Sequence, residues 1–375
     1  MVRSTRQSVW LSAVSFAALV CLGQHAVAAE NGLQRYSPGI GGSDMTAPLT
    51  PGLYLQVPLV HYHARKLKGG DHDQATSATP ADAQTVPVLG PVPAIPGLRS
   101  KIGINADTYA ALPRLTYLST TRVFGANLGF TVMLPLVKRK ASFSASPIYD
   151  GTVLANFPYS ALQSSYTATI NGRVSSSQDG NETGLGDMEL SPIFHWEIGD
   201  NQAVNFAPTI VLPTGKYDVK QRVNPGYGKF YTFRPSIQYS YIGDGWDFGA
   251  RTIFSFNTRN KDNGYYSGNM FNVDWQLMRF ISDDVRVGLQ GYFVRQLTKD
   301  TQDLSKFSHL SQTERDALAK EIINGNRSSV TAVGPAVGWV VNGGEALVEG
   351  KFLQEFGARN RTEGSAFWLS ISKPL

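Results

Sequence analysis

Between Tyr231 and Tyr241 the chain alternates without a fault. Tyr231, Phe233, Pro235, Ile237, Tyr239 and Tyr241 fall on one parity, and Thr232, Arg234, Ser236, Gln238 and Ser240 on the other. A period of two places one set on each face of an extended strand, so one face is apolar and the other polar. The pattern recurs in Phe124–Leu136, in Asp187–Glu197 and in Phe271–Leu277. A soluble sandwich alternates too, and length separates the two cases. A tilted strand crossing a bilayer needs about 9–11 residues, against about 5–6 in soluble sheets. All but Phe271–Leu277 have the longer span, and the apolar faces carry Trp, Tyr and Phe near the ends, where interfacial girdles lie. The alternation therefore predicts a membrane-spanning, antiparallel up-and-down β-barrel.

Connection lengths agree with this. Gly199-Asp200-Asn201, Gly243-Asp244-Gly245, Ser282-Asp283-Asp284 and Asn342-Gly343-Gly344 are turn-forming sequences. Between them stand longer polar stretches: Gly69–Gly97, Ala145–Gly184, Tyr217–Gly228, Asp262–Asn269 and Asp300–Ser328. Short periplasmic turns opposite long external loops are the barrel pattern. The expected strands are 53–66, 101–120, 123–143, 185–198, 202–216, 230–242, 246–260, 270–281, 285–299, 329–341, 345–359 and 364–375, about twelve, with both termini on the short-turn side. Pro192, Pro235 and Pro335 fall inside strands and are expected to mark bulges or kinks, because proline removes a ladder donor. Ser311-Gln312-Thr313-Glu314 is a capping box that predicts an external helix over 311–323.

Residues 1–29 have the anatomy of a secretory leader: Arg3 and Arg6, an apolar stretch from Trp10 to Leu22, and small residues at Val27-Ala28-Ala29 before a cut at Glu30. Residues 30–375 then form one barrel domain, with 30–50 a periplasmic N-terminal segment. The formal charge of +5 overstates the mature chain, since Arg3 and Arg6 leave with the leader, and no basic block suits nucleic acid. The single cysteine, Cys21, leaves as well, so neither disulfides nor thiolate metal sites are expected. No stretch after residue 30 is apolar enough for a spanning helix.

The polar parity collects Asp187, Glu189, His195, Glu197, Arg234, Arg251, Asp274, Arg286, Glu349 and Lys351. Each would be costly in hydrocarbon, so the strand phase turns them into the lumen. There they either tune a polar conduit or staple the lumen shut. His61-Tyr62-His63, with Asp71-His72-Asp73 nearby, has transition-metal ligand types, but solvated rim residues are the default, so no metal and no cofactor is expected. A hydrolase would need His195 with Ser191 and an orienting Glu189 or Glu197. No Gly-x-Ser-x-Gly elbow is present, and an enzyme is not expected. A surface receptor or adhesin built on the long loops is the other alternative.

Pro51-Gly52-Leu53-Tyr54, Gly184-Leu185-Gly186-Asp187, Leu212-Pro213-Thr214-Gly215, Asn224-Pro225-Gly226 and Gly364–Leu375 occur in an order that resembles the outer-membrane family associated with the meta-pathway of phenol degradation. The resemblance covers about residues 37–375. It implies an outer-membrane channel for passive or facilitated uptake of small hydrophobic or aromatic compounds. The implied partners are outer-membrane lipid, a small solute and the barrel-assembly machinery. The chain ends Lys373-Pro374-Leu375, where assembly signals usually end in an aromatic residue.

Overall fold

The alternating segments form strands that close on themselves in the computed structural model, which describes residues 34–47, 49–78, 99–148, 179–307 and 327–375. Strand β1 is Gly52–Lys68. The next three staves are each split in two: β2 (Arg99–Ala111) and β3 (Arg114–Val123), β4 (Ala126–Met133) and β5 (Leu136–Ile148), β6 (Gly180–Leu185) and β7 (Glu189–Ile198). There follow β8 (Gln202–Val211), β9 (Thr232–Gly243), β10 (Trp246–Asn257) and β11 (Met270–Phe280). The last four are β12 (Val285–Gln296), β13 (Ser329–Val341), β14 (Ala346–Arg359) and β15 (Arg361–Pro374). The antiparallel ring runs β1, β3, β4, β7 and then in order to β15, which pairs back onto β1 from Tyr54↔Pro374 to Lys68↔Arg361. This is a closed barrel of twelve strands, as the alternation predicted. Closure leaves no unpaired edge in the ring, the condition a sheet must meet in lipid.

The split staves have a physical cause. β1 pairs with β3 through Gly52–Gln56 and with β2 through Leu59–Ala64. Between the halves lie Leu112-Pro113, Leu134-Pro135 and Gly186–Met188, at one level across three staves. Proline cannot donate to the ladder, so the line is stitched by single bonds: Leu112 N to Pro58 O at 2.9 Å, Leu134 N to Pro113 O at 3.1 Å and Gly186 N to Pro135 O at 2.8 Å. Above the line, β2, β5 and β6 form a panel held to the ring through β1. β6 pairs with β5, from Leu136↔Leu185 to Ala141↔Gly180, and its other edge is not paired with β8, which stops at Val211. The expected strand 202–216 is thus five residues too long, and the expected loop 145–184 contains the ends of β5 and β6.

The strand prolines make no bulges. Register is unchanged through Phe130↔Pro192, Pro208↔Pro235 and Leu289↔Pro335. They interrupt ladders. β7 and β8 pair at Leu190↔Ile210 and again at Phe194↔Phe206 in the same register, and β9 and β10 at Phe233↔Phe256 and Ser236↔Ile253. Each proline leaves its N–H position empty toward one neighbour and keeps the pleat. The register shifts lie elsewhere, between Ala64 and Lys66, between Leu118 and Arg122, and opposite Gly357, whose φ is +63°.

Phe233, Ile237, Phe248, Phe256, Leu277, Leu289, Val337, Trp339, Phe352 and Phe367 point outward and are exposed, which is the lipid-facing belt. Inside, the half toward the long loops is packed with Met270, Tyr292, Val294, Val330, Ala332, Leu353 and Trp368. The other half buries Asp247, Gln276, Arg286, Gln290, Glu349 and Lys351. The four predicted tight turns are turns, and a fifth is made by Phe124-Gly125. At Asp244-Gly245 both residues have positive φ, 54° and 76°, as a two-residue hairpin whose twist matches its strands requires. At the long-loop end, β14 and β15 are joined by Asn360 alone. The helix expected over 311–323 lies outside the described residues.

Candidate functional site

Residues 34–47, expected on the periplasmic side, run through the lumen. The segment starts near the long loops, where Arg35 meets Asp187 at 3.0 Å, and descends to Thr46, whose hydroxyl takes a bond from Gln276 Nε2 at 2.9 Å. Its backbone is held by charged wall residues. Asp274 accepts from Gly39 N (3.1 Å), Gly41 N (2.8 Å) and the Tyr36 hydroxyl (2.7 Å). Glu349 accepts from Ser43 N at 2.8 Å and from the Ser43 hydroxyl, while Lys351 Nζ donates to Gly41 O at 2.6 Å. A Cβ on Gly42 would lie 2.2 Å from Glu349 Oε1 and 2.7 Å from Lys351 Nζ, so the backbone comes this close only with glycine there. Asp44 receives Arg114 at 2.7 Å and Arg251 at 3.1 Å.

A second arrangement lies where the β6 edge and the top of β8 part. Residues 212–231 fill this notch in the wall: Lys216 N donates to Leu185 O at 2.9 Å, Leu212 N to Met188 O at 2.9 Å and Gly226 N to Lys216 O at 2.8 Å. Asp187 ties it together, accepting from Gly215 N at 2.9 Å and Tyr227 N at 3.1 Å besides its pair with Arg35. A Cβ on Gly215 would stand 2.7 Å from the Gly226 Cα and 2.9 Å from the Gly186 carbonyl carbon. Three of the motifs recognised in the sequence, carrying Gly186, Gly215 and Gly226, therefore converge on one contact. The notch and the plug share Asp187, so the wall and the segment inside it are mechanically linked.

Two cavities flank Tyr36. The larger, ≈ 620 Å³, is lined by Ile40, Met133, Ile193 and Ile253 with Ser191 and Thr209, and extends to Ser372–Pro374 at the short-turn end. The smaller, ≈ 120 Å³, is lined by Val60, Leu112, Val137 and Trp368 and touches Gly186, Asp187 and Tyr227 at the notch.

The ten ionisable residues of the polar parity fall into three groups. Asp187, Arg251, Asp274, Glu349 and Lys351 hold the N-terminal segment directly. Glu189 pairs with Arg234, which also donates to Arg35 O at 3.3 Å, and Arg286 pairs with Asp247 beside Gln276. His195 Nδ1 donates to Asn205 Oδ1, 2.6 Å away, while Glu197 is exposed near the short turns with its oxygen 3.9 Å from His195. Ser191 bonds Thr209 at 2.9 Å rather than His195, so the triad considered from the sequence is not assembled. Sequence reasoning missed Arg35, Tyr36 and Gly41-Gly42-Ser43-Asp44. The Gly-Gly-Ser-Asp run was the available signal, but a segment with no period gives no face to assign.

A closed twelve-stranded barrel, belted outside by apolar residues and occluded inside by its own N-terminal segment, defines an outer-membrane-type barrel with an internal plug. The family model described as "Putative MetA-pathway of phenol degradation" matches residues 80–371, and the chain belongs to that family. No curated protein matches the sequence. Among solved structures, an outer membrane channel from Pseudomonas putida F1 is 11% identical with a TM-score of 0.56, covering 91% of this chain and 100% of that one. It shares the fold. A CymD monoaromatic hydrocarbon channel (8% identity, 95% and 98% coverage, TM-score 0.38) and a Pseudomonas aeruginosa FadL homologue (9%, 86% and 90%, 0.35) are more distant.

Proposed function

We propose that the protein is an outer-membrane channel for passive or facilitated uptake of small hydrophobic or aromatic compounds, and that solutes pass between the notch and the lumen rather than straight down the axis. The residues most able to line a polar conduit are instead engaged with the plug or with one another, which favours apolar solutes over ions. The carrying observation is the pair of cavities beside Tyr36, one touching the notch at Gly186 and Asp187, the other reaching the short-turn end. The chain reaches the outer membrane after losing residues 1–29, inserts through the barrel-assembly machinery and works as one domain with no enzymatic step. The concentration gradient drives the flux.

The notch can be locked. A Cβ on Gly184 would lie 3.0 Å from that of Lys216, close to disulfide range, and the mature chain holds no other cysteine. In proteoliposomes carrying Gly184→Cys with Lys216→Cys, oxidation is expected to stop uptake of an aromatic hydrocarbon, and reduction to restore it. Equal uptake in both states would refute passage through the notch; no uptake by reduced or wild-type protein would refute the channel itself.

A further inference from the structure

On the outer wall, His61 and His63 of β1 and Asp107 of β2 bring three ligand atoms within 4.8 Å of one another. His61 and His63 are two residues apart and share the outward face, and Asp107 is the direct partner of His63 across the β1–β2 pair. Asp107 Oδ1 lies 3.0 Å from His61 Nε2 and 2.8 Å from His63 Nδ1, so one carboxylate oxygen serves both rings. The His61 ring stacks on Tyr109 at 4.2 Å with planes 2° apart, which fixes its orientation. All three ligands are half-buried, open on one side.

The level on the wall matters. Leu55 and Leu59 carry the apolar belt up the outward face of β1, and Leu136 and Leu185 carry it on the panel. Above Leu59 the outward residues of β1 turn polar: His61, His63 and Arg65. His61 faces Phe367 of the belt across the β1–β15 pair, while exposed Lys138 and Lys140 flank the cluster on β5, so it stands at the belt's upper margin, where water and dissolved ions reach it.

We propose that His61, His63 and Asp107 form a binding site for a divalent transition metal of the zinc–nickel–copper class. Two imidazoles and a carboxylate are the ligand chemistry such ions prefer, and three protein ligands leave coordination positions for water. The one adjustment required is at Arg65, whose Nε donates to His63 Nε2 at 2.8 Å. With metal on Nδ1 that nitrogen carries the proton, so the exposed Arg65 side chain turns away into solvent. Bound metal bridges β1 to β2. Since the β2–β5–β6 panel is held to the ring on its β1 side and unpaired with β8 on the other, the ion acts as a clasp on the panel's attached side.

The test uses the untagged mature protein folded in detergent, titrated with Zn²⁺ by calorimetry and with Cu²⁺ by electron paramagnetic resonance. One saturable equivalent is expected, with nitrogen hyperfine structure from two imidazoles. His61→Gln with His63→Gln is expected to weaken binding by at least about 100-fold, the upper range for loss of even an outer-shell partner. Asp107→Asn is expected to weaken it by about 10-fold, and His72→Gln not at all. Heat-modifiable migration on gels identifies which variants are folded barrels. No saturable equivalent in the wild type, or undiminished affinity in a folded double-histidine variant, would overturn the proposal. So would loss confined to His72→Gln. Asp107→Asn, which keeps both imidazoles, tests the same point should the double variant not fold.

Discussion

The wall from β10 to β13, whose ladders are continuous, and the wall around β6, β7 and β8 are built from the same alternating strands but held together differently. From β11 to β12 the pairing is unbroken, from Met270↔Gln296 to Phe280↔Arg286, and beneath it Trp368, Val294 and Leu353 are packed with almost no exposure. Around β7 and β8 the ladder is interrupted at Pro192 and Pro208, and above Val211 the strands part. There, side chains and loop backbone take over: Ser191 to Thr209, His195 to Asn205, and Asp187 to the Gly215 and Tyr227 N–H groups. One region is joined by unbroken strand pairing, the other in part by side-chain and loop contacts. Regions of the second kind open at lower free energy, and moving elements are drawn from them.

The comparison can be broken most decisively by removing what both regions share. Deleting residues 34–47 is expected to convert the occluded barrel into an open pore, with single-channel conductance several-fold above wild type in planar bilayers. An unchanged trace would mean that the plug does not limit passage. Next in size, Trp368→Ala and Asp187→Ala should separate the two walls. Trp368→Ala empties a packed site and should cost about 3–5 kcal/mol of barrel stability, read as a lower unfolding temperature on gels. Asp187→Ala removes the carboxylate shared by Arg35, Gly215 N and Tyr227 N, charge-assisted contacts worth about 1.5–3 kcal/mol each, while Arg35 keeps its bonds to Gly228 O and Phe230 O. The change is expected to appear as lost hydrogen-exchange protection at residues 212–230, with the β11–β14 amides unaffected. If Asp187→Ala lowered protection evenly around the ring, the distinction between the walls would be lost.

A smaller effect is expected from Asp44→Asn, which weakens two charge-assisted contacts, each worth about 1.5–3 kcal/mol, and should raise the open probability of the channel. Smallest is Pro208→Val, which returns one ladder donor at the β7–β8 seam. About 1 kcal/mol of local stability and slower exchange near residues 190–194 are expected, with slower solute uptake.

Much of the fold was legible because alternation records two different solvents on the two faces of a strand, and both are present along most of this wall. The turns were legible for a related reason: Asp244-Gly245 and Asn342-Gly343 need positive φ, and few residue pairs adopt it. What escaped was everything decided by distant partners. Arg251 and Lys351 could be turned inward from parity alone, but Asp44 and Gly41 as their partners lie 207 and 310 positions away and on no periodic element. The prolines made no bulges for a local reason. A strand in a closed barrel has two neighbours, and losing one donor interrupts one ladder while the other holds register.

The single seam from Tyr54↔Pro374 to Lys68↔Arg361 joins the first strand to the last. The plug is the stretch of chain immediately ahead of that first strand. If the seam zipped before the segment was seated, the newborn ring would enclose water beside Asp274, Glu349 and Lys351, and the envelope would carry an unguarded hole. Seating the segment before the seam closed would spare the membrane that leak.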